Sequence, residues 1–590
     1  MDKQSEAAAD AAPPTPQSER NPEAGKGDAV PGPKYLAGTR LVLVMVAIIL
    51  ACFLMLLDTS VVSTAVPQIT TDFHSLTDVG WYASAYTLGS AAFQPLTGKI
   101  FNVFSLKWSW LTFFAVFEIG SVLCGAATSS NMLIVGRAIA GAGASGLLSG
   151  AINIVSSSVP IERRPALIGM VMGIAQLGTV LGPVIGGAFT SGYTWRWSFY
   201  INLPLGALVA GPITLVHIPD QTAKPKAWSV LPRIHHHLDL FGFVLFAPAV
   251  IQLLLALQYG GNQFAWNSSQ VIGLFVGAGA TFIVWAFWNY RKGDDALLPV
   301  SIIRRRTIWT SALNYGFLMS TLLGVSYFLP IYFQAVKDLN AVLSGVNLLP
   351  TIFPQLVFAI GSGVLVTKIG RIPPFSIFSG MLVSIATGLF STLQEDTSLG
   401  KRVGYQILMG VGLGSGLQMP IVATQNSVSP KELTAAMAFI VWAQYMGPSI
   451  FLVLYNVVFD ASLRNLLPQE APGVSAEAVI SAGARRFREI VSPEDLPGVL
   501  KAYSDSIDRV FYLVAGVGVV VFLSAFGMGF KDIRKKDGGA AAAAAAVPAA
   551  SEKEVPRDSE AASAVPASRA NREASKEHGP GGSDSGDLSG

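Results

Sequence analysis

Charge is what this 590-residue chain has least of: Asp, Glu, Lys and Arg together make up 13% of it, about half the share of an average soluble protein. The 40 basic and 37 acidic residues leave a net charge of only +3. That scarcity excludes a chain kept disordered by charge and a nucleic-acid binder working through a basic surface. Two cysteines are too few for a disulfide-stapled scaffold. No nucleophile–base set and no cluster with metal-ligand spacing occurs, so neither an enzyme nor a cofactor or metal is expected. What the chain has in quantity is apolar residues, 51% of the total, and 59 glycines. A polytopic membrane protein remains.

Crossing the hydrocarbon of a bilayer takes a helix of roughly 20 apolar residues. Fourteen such stretches occur, at about 41–66, 79–98, 108–127, 131–155, 166–190, 197–217, 238–259, 269–290, 307–333, 342–367, 373–393, 403–424, 434–459 and 510–530. Lipid offers backbone groups no partner, so continuous runs of this kind read as helices. A barrel would need short alternating segments instead. The expected fold class is therefore an all-α polytopic membrane protein with 14 transmembrane helices.

Orientation follows from Lys and Arg in the short loops. With the N-terminus inside, the cytoplasmic loops carry fifteen basic residues, among them Lys99, Lys107, Arg163, Arg164, Arg304, Arg305, Lys368 and Arg371. The short outer loops carry only Arg196, Lys337, Lys401 and Arg402. Both termini are thus expected in the cytoplasm. Residues 1–38 and 531–590, rich in Ala, Pro and charge, read as disordered tails. Residues 460–509 form a long outer loop, and Asn267-Ser268-Ser269 is a possible glycosylation site in another.

An ionisable group inside a span is costly, and so a functional candidate. Three qualify: Asp58, Glu118 and Arg137. Counted at about 1.5 Å per residue, all three fall in the outer half of the bilayer, where they can share one cavity. Arg cannot deprotonate, so Arg137 is a fixed positive charge. Asp58 or Glu118 can carry a proton, burial and the nearby Arg pulling the carboxyl in opposite senses. The alternative is a permanent ion pair that locks helix packing. In the fifth span Gly178, Gly182 and Gly186 recur every fourth residue, with Pro183 and Gly187 beside them, a pattern that lets helix backbones approach closely and bend. Gly141-Ala142-Gly143-Ala144-Ser145-Gly146 copies the dinucleotide-binding spacing, but it lies inside an apolar span with no strand before it, which excludes that use.

Leu57-Asp58-Thr59 with Ala65-Val66-Pro67 resembles the first-helix motif of the fourteen-spanner drug–proton antiporters of the major facilitator superfamily. Arg137 through Gly146 resembles that family's fourth-helix motif, and Gly178 through Gly187 its fifth-helix antiporter motif. Trp195-Arg196-Trp197-Ser198-Phe199-Tyr200-Ile201-Asn202-Leu203-Pro204 is similar to the start of its sixth helix. The resemblance runs from about residue 40 to 530 and is strongest to fungal exporters of mycotoxins and other secondary metabolites. It implies a major facilitator fold: one six-helix half over 39–217, an inserted helix pair over 238–290, and a second half over 307–530. It also implies proton influx driving export of a small amphipathic molecule, with Asp58, Arg137 and Glu118 as coupling or substrate candidates and Gly178, Gly182, Pro183, Gly186 and Gly187 as the antiport hinge.

The loops after the second and tenth spans, Gly98 to Lys107 and Gly363 to Arg371 with Lys368, correspond as inner-gate loops of an internal repeat. Both depart from the family at the acid, carrying Asn102 and Thr367. An apolar cavity with few fixed charges suits neutral or weakly charged substrates. Gln176, Asn314, Tyr327, Gln418 and Gln444 can supply its polar contacts, or equally bond to neighbouring helices. Cys52 and Cys124 are expected as buried thiols, His235, His236 and His237 as solvent-facing, and Trp195 and Trp197 in the outer aromatic belt. The expected partners are a small-molecule substrate, protons and the bilayer, without nucleic acid, for a chain working as a monomer in the plasma membrane. Alternatives are a vacuolar or vesicle carrier of basic amino acids or siderophores, and a non-transporting sensor.

Overall fold

The computed structural model describes residues 35–530 and residue 532, apart from 75–77, 221, 223, 226, 262 and 340. All but a few residues of the two expected tails lie outside the described residues.

The first six membrane helices are α1 (Gly38–Phe73), α2 (Val79–Val103), α3 (Leu106–Gly125), α4 (Ser130–Ser158), α5 (Arg164–Gly192) and α6 (Asn202–Leu215), the last preceded by a single turn, Trp197–Tyr200. Next come the inserted pair, α7 (Leu240–Tyr259) and α8 (Ser269–Lys292). The second set is α9 (Arg306–Ala335), α10 (Leu349–Ile369), α11 (Pro373–Phe390), α12 (Leu399–Gly416), α13 (Leu433–Glu470) and α14 (Leu496–Ala525). Among the described residues thirteen helices are long and apolar enough to cross a membrane. The fourteenth is α2, whose 25 residues include Ser84, Ser90, Gln94, Pro95 and Thr97. Those polar positions lower its hydropathy, and two of them reach α4: Ser90 Oγ donates to Gly141 O at 2.9 Å, and Thr97 Oγ1 lies 3.4 Å from Ser149 Oγ.

Local chemistry sets several helix ends. Ser129 Oγ accepts from Met132 N at 3.3 Å and Ser268 Oγ from Val271 N at 3.3 Å, N-caps that satisfy otherwise orphaned donors at the starts of α4 and α8. Gly370, at φ +79°, closes α10 by returning its N–H to Val366 O.

Within the first half α1 packs on α5, and α4 on α2 and α3; within the second α10 packs on α12, α11 on α14, and α9 on α13 and α14. The halves meet along two seams, α2 with α13 and α5 with α10. The inserted α7 lies against both α2 and α13. Because all fourteen helices alternate in direction, the bundle has a near end, where α1 starts and α14 finishes, and a far end. At the near end the seams are tight. A Cβ on Gly98 would meet Ala438 Cβ at 2.9 Å, and one on Gly363 would meet Pro165 O at 2.6 Å. One apolar core there joins both halves, Leu148, Ile152 and Met172 packing with Tyr315, Leu417 and Met437. At the far end the cores are separate, one of Val61, Ile69, Leu133 and Phe199, the other of Phe328, Phe390, Leu467 and Phe511.

Residues 460–509, expected as a loop, are largely helical. Helix α13 runs on to Glu470, a separate helix spans Ala476–Ile490, and α14 already begins at Leu496. Phe487 stacks on Tyr503 at 4.9 Å, and Arg488 Nη2 donates to Ala335 O at 2.8 Å, holding this helix over the end of α9. Its amphipathic pattern escapes a search for continuous apolar runs.

Candidate functional site

Five of the first six helices converge on Asp58. Arg137, on α4, places Nη1 2.5 Å from Asp58 Oδ2, and both side chains are 1% exposed or less. Arg137 Nε donates to Tyr82 O on α2 at 2.9 Å, and its guanidinium lies over the Tyr86 ring at 4.5 Å from the centroid. Phe199, in the turn before α6, is a second ring 5.9 Å away. On the other side of the carboxylate, Asn202 Nδ2 donates to Asp58 Oδ1 at 3.3 Å and to Ser121 Oγ of α3 at 3.0 Å. Charge-assisted, desolvated bonds of this kind are among the stronger ones in a protein, and removing one partner strands the other.

Glu118 does not join this network. It is half-buried, and both carboxyl oxygens are enclosed without a hydrogen-bond partner among the described residues. The carboxyl packs on Gly206 of α6, where a Cβ would overlap Oε1. The structure therefore brings together two of the three sequence candidates and sets the third aside.

The glycines of α5 form the seam with α1. A Cβ on Gly178 would stand 2.5 Å from Phe53 O, one on Gly182 would overlap Ser60 Oγ, and one on Gly186 would overlap Thr64 Oγ1. Ser60 Oγ donates across this seam to Gly178 O at 3.0 Å. Pro183 interrupts the ladder of α5 beside them. At Gly187 a Cβ would meet nothing within 4 Å.

Midway along α1 the halves enclose a small cavity of about 20 Å³, lined by Cys52, Met55, Leu56, Leu148, Met172, Ala175, Gln176, Tyr315, Met319, Leu417 and Gln444. That volume holds about one water, so an organic substrate requires the halves to part. No lining residue is charged, and three are methionines, whose flexible thioethers adapt to varied shapes. Gln444 Oε1 is buried without a partner among the described residues. Of the polar candidates only Gln176 and Gln444 line this cavity. Asn314 instead ties α9 to α14 and α11: Nδ2 donates to Val521 O at 2.7 Å, and Oδ1 accepts from Ser376 at 3.2 Å. Gln418 ties to α10 through Ala359 O at 2.7 Å and Ser362 Oγ at 2.8 Å. Tyr327 is 46% exposed in the far half of α9.

At the near end Lys107 Nζ caps α6 by donating to Thr214 O at 2.6 Å and Val216 O at 3.0 Å. Lys368 and Arg371 are exposed, as are Asn267 and the three adjacent histidines. Cys52 and Cys124 are free and buried. Outside the membrane helices, Arg305 forms a two-pronged pair with Glu432, which also accepts from Ser429 N at 2.9 Å. Burial works to raise the Glu432 pKa, but these bonds hold it below the usual carboxylate value.

Trp195 departs from expectation. It is 1% exposed, its Nε1 donates to Asp72 Oδ2 at 2.7 Å, and it meets Phe73 edge-on at 5.7 Å. Only Trp197, 45% exposed, faces outward as the aromatic belt requires.

Residues 48–452 match the Major Facilitator Superfamily. The chain belongs to that superfamily. It is 58% identical over 503 residues to the MFS-type transporter pigP of Monascus ruber, covering 85% of this chain and 88% of that protein. It is 46% identical over 514 residues to the efflux pump mlcE of Penicillium citrinum, covering 85% and 93% respectively. A solved structure of the proton:xylose symporter XylE bound to 6-bromo-6-deoxy-D-glucose shares the fold at a TM-score of 0.52 and 14% identity, covering 84% of this chain and 98% of that one. The superfamily is one of transporters, not enzymes.

Several residues around this transporter's site carry no signal in the sequence. Tyr82, Tyr86 and Ser121 are ordinary polar residues in apolar runs, and Asn202, although inside the sixth-helix motif, is not marked out there as a partner of Asp58. Asp239 sits at the edge of its run, yet it is fully buried at the start of α7. There it accepts from Leu297 N at 2.7 Å, Trp288 Nε1 at 3.1 Å, Lys292 Nζ at 3.1 Å and Gly242 N at 3.3 Å. Asp508, expected outside the last span, is buried in α14 because that helix starts earlier. Its Oδ2 accepts from Gln394 Nε2 at 2.8 Å.

Proposed function

We propose that this transporter is a proton-coupled efflux pump that exports a small amphipathic secondary metabolite. The carrying observation is the Asp58–Arg137 pair, fully buried where helices α1, α2, α3, α4 and α6 meet. Its relatives include proteins named as efflux pumps, and the uncharged, methionine-containing cavity suits a neutral substrate. Basic amino acids fit it poorly, because no carboxylate lines it and Asp508 is engaged by Gln394.

Protonation supplies the drive. With Asp58 ionised, Arg137 holds α4 against α1. A proton on Asp58 removes half of the pair and leaves a buried positive charge, at a cost of about 3–5 kcal/mol. That is enough to bias a two-state transporter strongly. Glu118, without a hydrogen-bond partner, is the second candidate to carry a proton. With the basic loops in the cytoplasm, the near end faces inward and both termini are cytoplasmic. The tight near-end seams then describe a state closed to the cytoplasm, in which protons load from outside. The plasma membrane is the matching location. The unit of function is a single chain, since each half supplies one wall of the cavity.

The test is uphill transport in sealed inside-out vesicles with an acidified lumen, screened with amphipathic natural products. Accumulation that collapses with a protonophore and is lost in Asp58→Asn is expected. Accumulation independent of the gradient would overturn the proposal.

A further inference from the structure

Asn202 is the first residue of α6 and is fully buried. Its Nδ2 is shared between Asp58 Oδ1 at 3.3 Å and Ser121 Oγ at 3.0 Å. Its own carbonyl oxygen, Oδ1, is buried and accepts from nothing among the described residues. This orientation belongs to an ionised Asp58, because a carboxylate only accepts and the amide must offer it N–H.

A proton arriving on Asp58 has one oxygen to go to. Oδ2 faces Arg137 Nη1 at 2.5 Å, and a guanidinium has donors only, so no O–H can point at it. The proton therefore belongs on Oδ1, which faces Asn202. There the new O–H needs an acceptor, and Nδ2 cannot serve. A half-turn of the amide about χ2 brings the unused Asn202 oxygen into its place. Amide χ2 is a broad, roughly two-fold torsion, so the barrier to the turn is low, and Nδ2 then takes the place where Oδ1 has no hydrogen-bond partner among the described residues. Ser121, whose hydroxyl now donates to Phe117 O at 3.1 Å, follows by turning that one proton from the carbonyl to the amide oxygen.

We infer that Asn202 is a positioning residue for the coupling pair, turning its amide as Asp58 gains and loses the proton. Asp58 Oδ1 is thereby hydrogen-bonded in both protonation states without moving Arg137 off Tyr82 O, and loading is reversible. The inference rests on the proton-coupling role of Asp58. The other groups around Asp58 are Arg137 on α4, Tyr82 and Tyr86 on α2, and Glu118 and Cys124 on α3, with Tyr445 of α13 beyond Tyr86. Among these, Asn202 is the uncharged group with a donor and an acceptor on one rotatable plane.

The experiment is the pH profile of substrate transport in proteoliposomes for wild type, Asn202→Leu and Asn202→Ser. Leucine can satisfy neither state, and the ionised one loses more because a bond to a charged group is worth more than a neutral one. The half-maximal pH of Asn202→Leu is expected to rise by about one unit, a tenfold change in proton affinity. Asn202→Ser, whose hydroxyl donates and accepts, is expected to restore most of that shift. A midpoint unchanged in Asn202→Leu, with transport merely scaled down at every pH, would overturn the inference. Should Asn202→Leu fail to fold, infrared difference spectra of wild type between low and high pH decide. A carboxyl band and a side-chain amide band that change together, and vanish together in Asp58→Ala, support the turn; a carboxyl change without the amide change overturns it. Failure of the underlying role looks different: Asp58→Asn would then keep the wild-type pH profile.

Discussion

Asp58 and Arg137 form a buried pair, and buried pairs have an asymmetric energetics that separates structure from function. Arg137→Leu leaves Asp58 buried without its cation and is expected to lose about 3–5 kcal/mol of stability, read as a large drop in melting temperature in detergent. Replacing both, as Asp58→Leu with Arg137→Leu, removes the stranded charge and should recover most of that loss while transport stays absent. Recovery of transport along with stability would make the pair a packing device. Glu118 gives the opposite expectation: it makes no hydrogen bond among the described residues, so Glu118→Leu should cost less than about 1 kcal/mol. At this scale the sequence reveals charge and conceals polarity. An Asp or Arg within an apolar run is conspicuous because hydrocarbon penalises it, whereas Asn202 and Ser121 resemble the many amides and hydroxyls that tie helices together. Trp195 shows the same limit. An indole suits a membrane interface or a buried bond equally well, and Asp72 decides for the second.

Among the helices, the seam between α1 and α5 is set by glycine at every fourth position, and its geometry admits no side chain. Gly178→Val would drive a β-branched side chain into Phe53 O; it should destabilise by about 1–3 kcal/mol and abolish transport, while Gly187→Ala, facing open space, should be tolerated. The inserted pair is fixed unevenly. Towards α2 it has the Lys99 Nζ bond to Asp295 O at 3.0 Å and the Trp81–Tyr259 contact at 5.6 Å. Towards α13 it offers apolar rings, Phe246 and Trp442 at 6.0 Å. A flexible bis-maleimide joining Gly80→Cys to Gln258→Cys should therefore leave transport intact, while one joining Phe246→Cys to Trp442→Cys should stop it. The five-helix convergence on Asp58 was only partly legible, since spacing along one helix says which residues share a face but not what the next helix presents to it. The helix Ala476–Ile490 was not legible at all, its apolar positions being too sparse to register as a run.

For the whole molecule, continuous apolar runs made the fourteen helices legible, and the paired halves came from the family resemblance, with the near-match of two loops in keeping with it. The state of the transporter was not legible, because the seams that close the near end depend on contacts between residues far apart in the chain, such as Gly98 with Ala438 and Gly363 with Pro165. With the near end in the cytoplasm, Tyr327→Cys should react with a membrane-impermeant maleimide added outside intact cells, whereas Lys368→Cys, exposed at the near end, should not. The reverse labelling would invert the orientation. The central claim, that proton movement passes through Asp58, is tested most directly by recording substrate-induced pH change inside proteoliposomes holding purified protein. Substrate should move protons with wild type and move none with Asp58→Asn in protein that still binds substrate. An equal ratio of protons to substrate in the two would contradict the account.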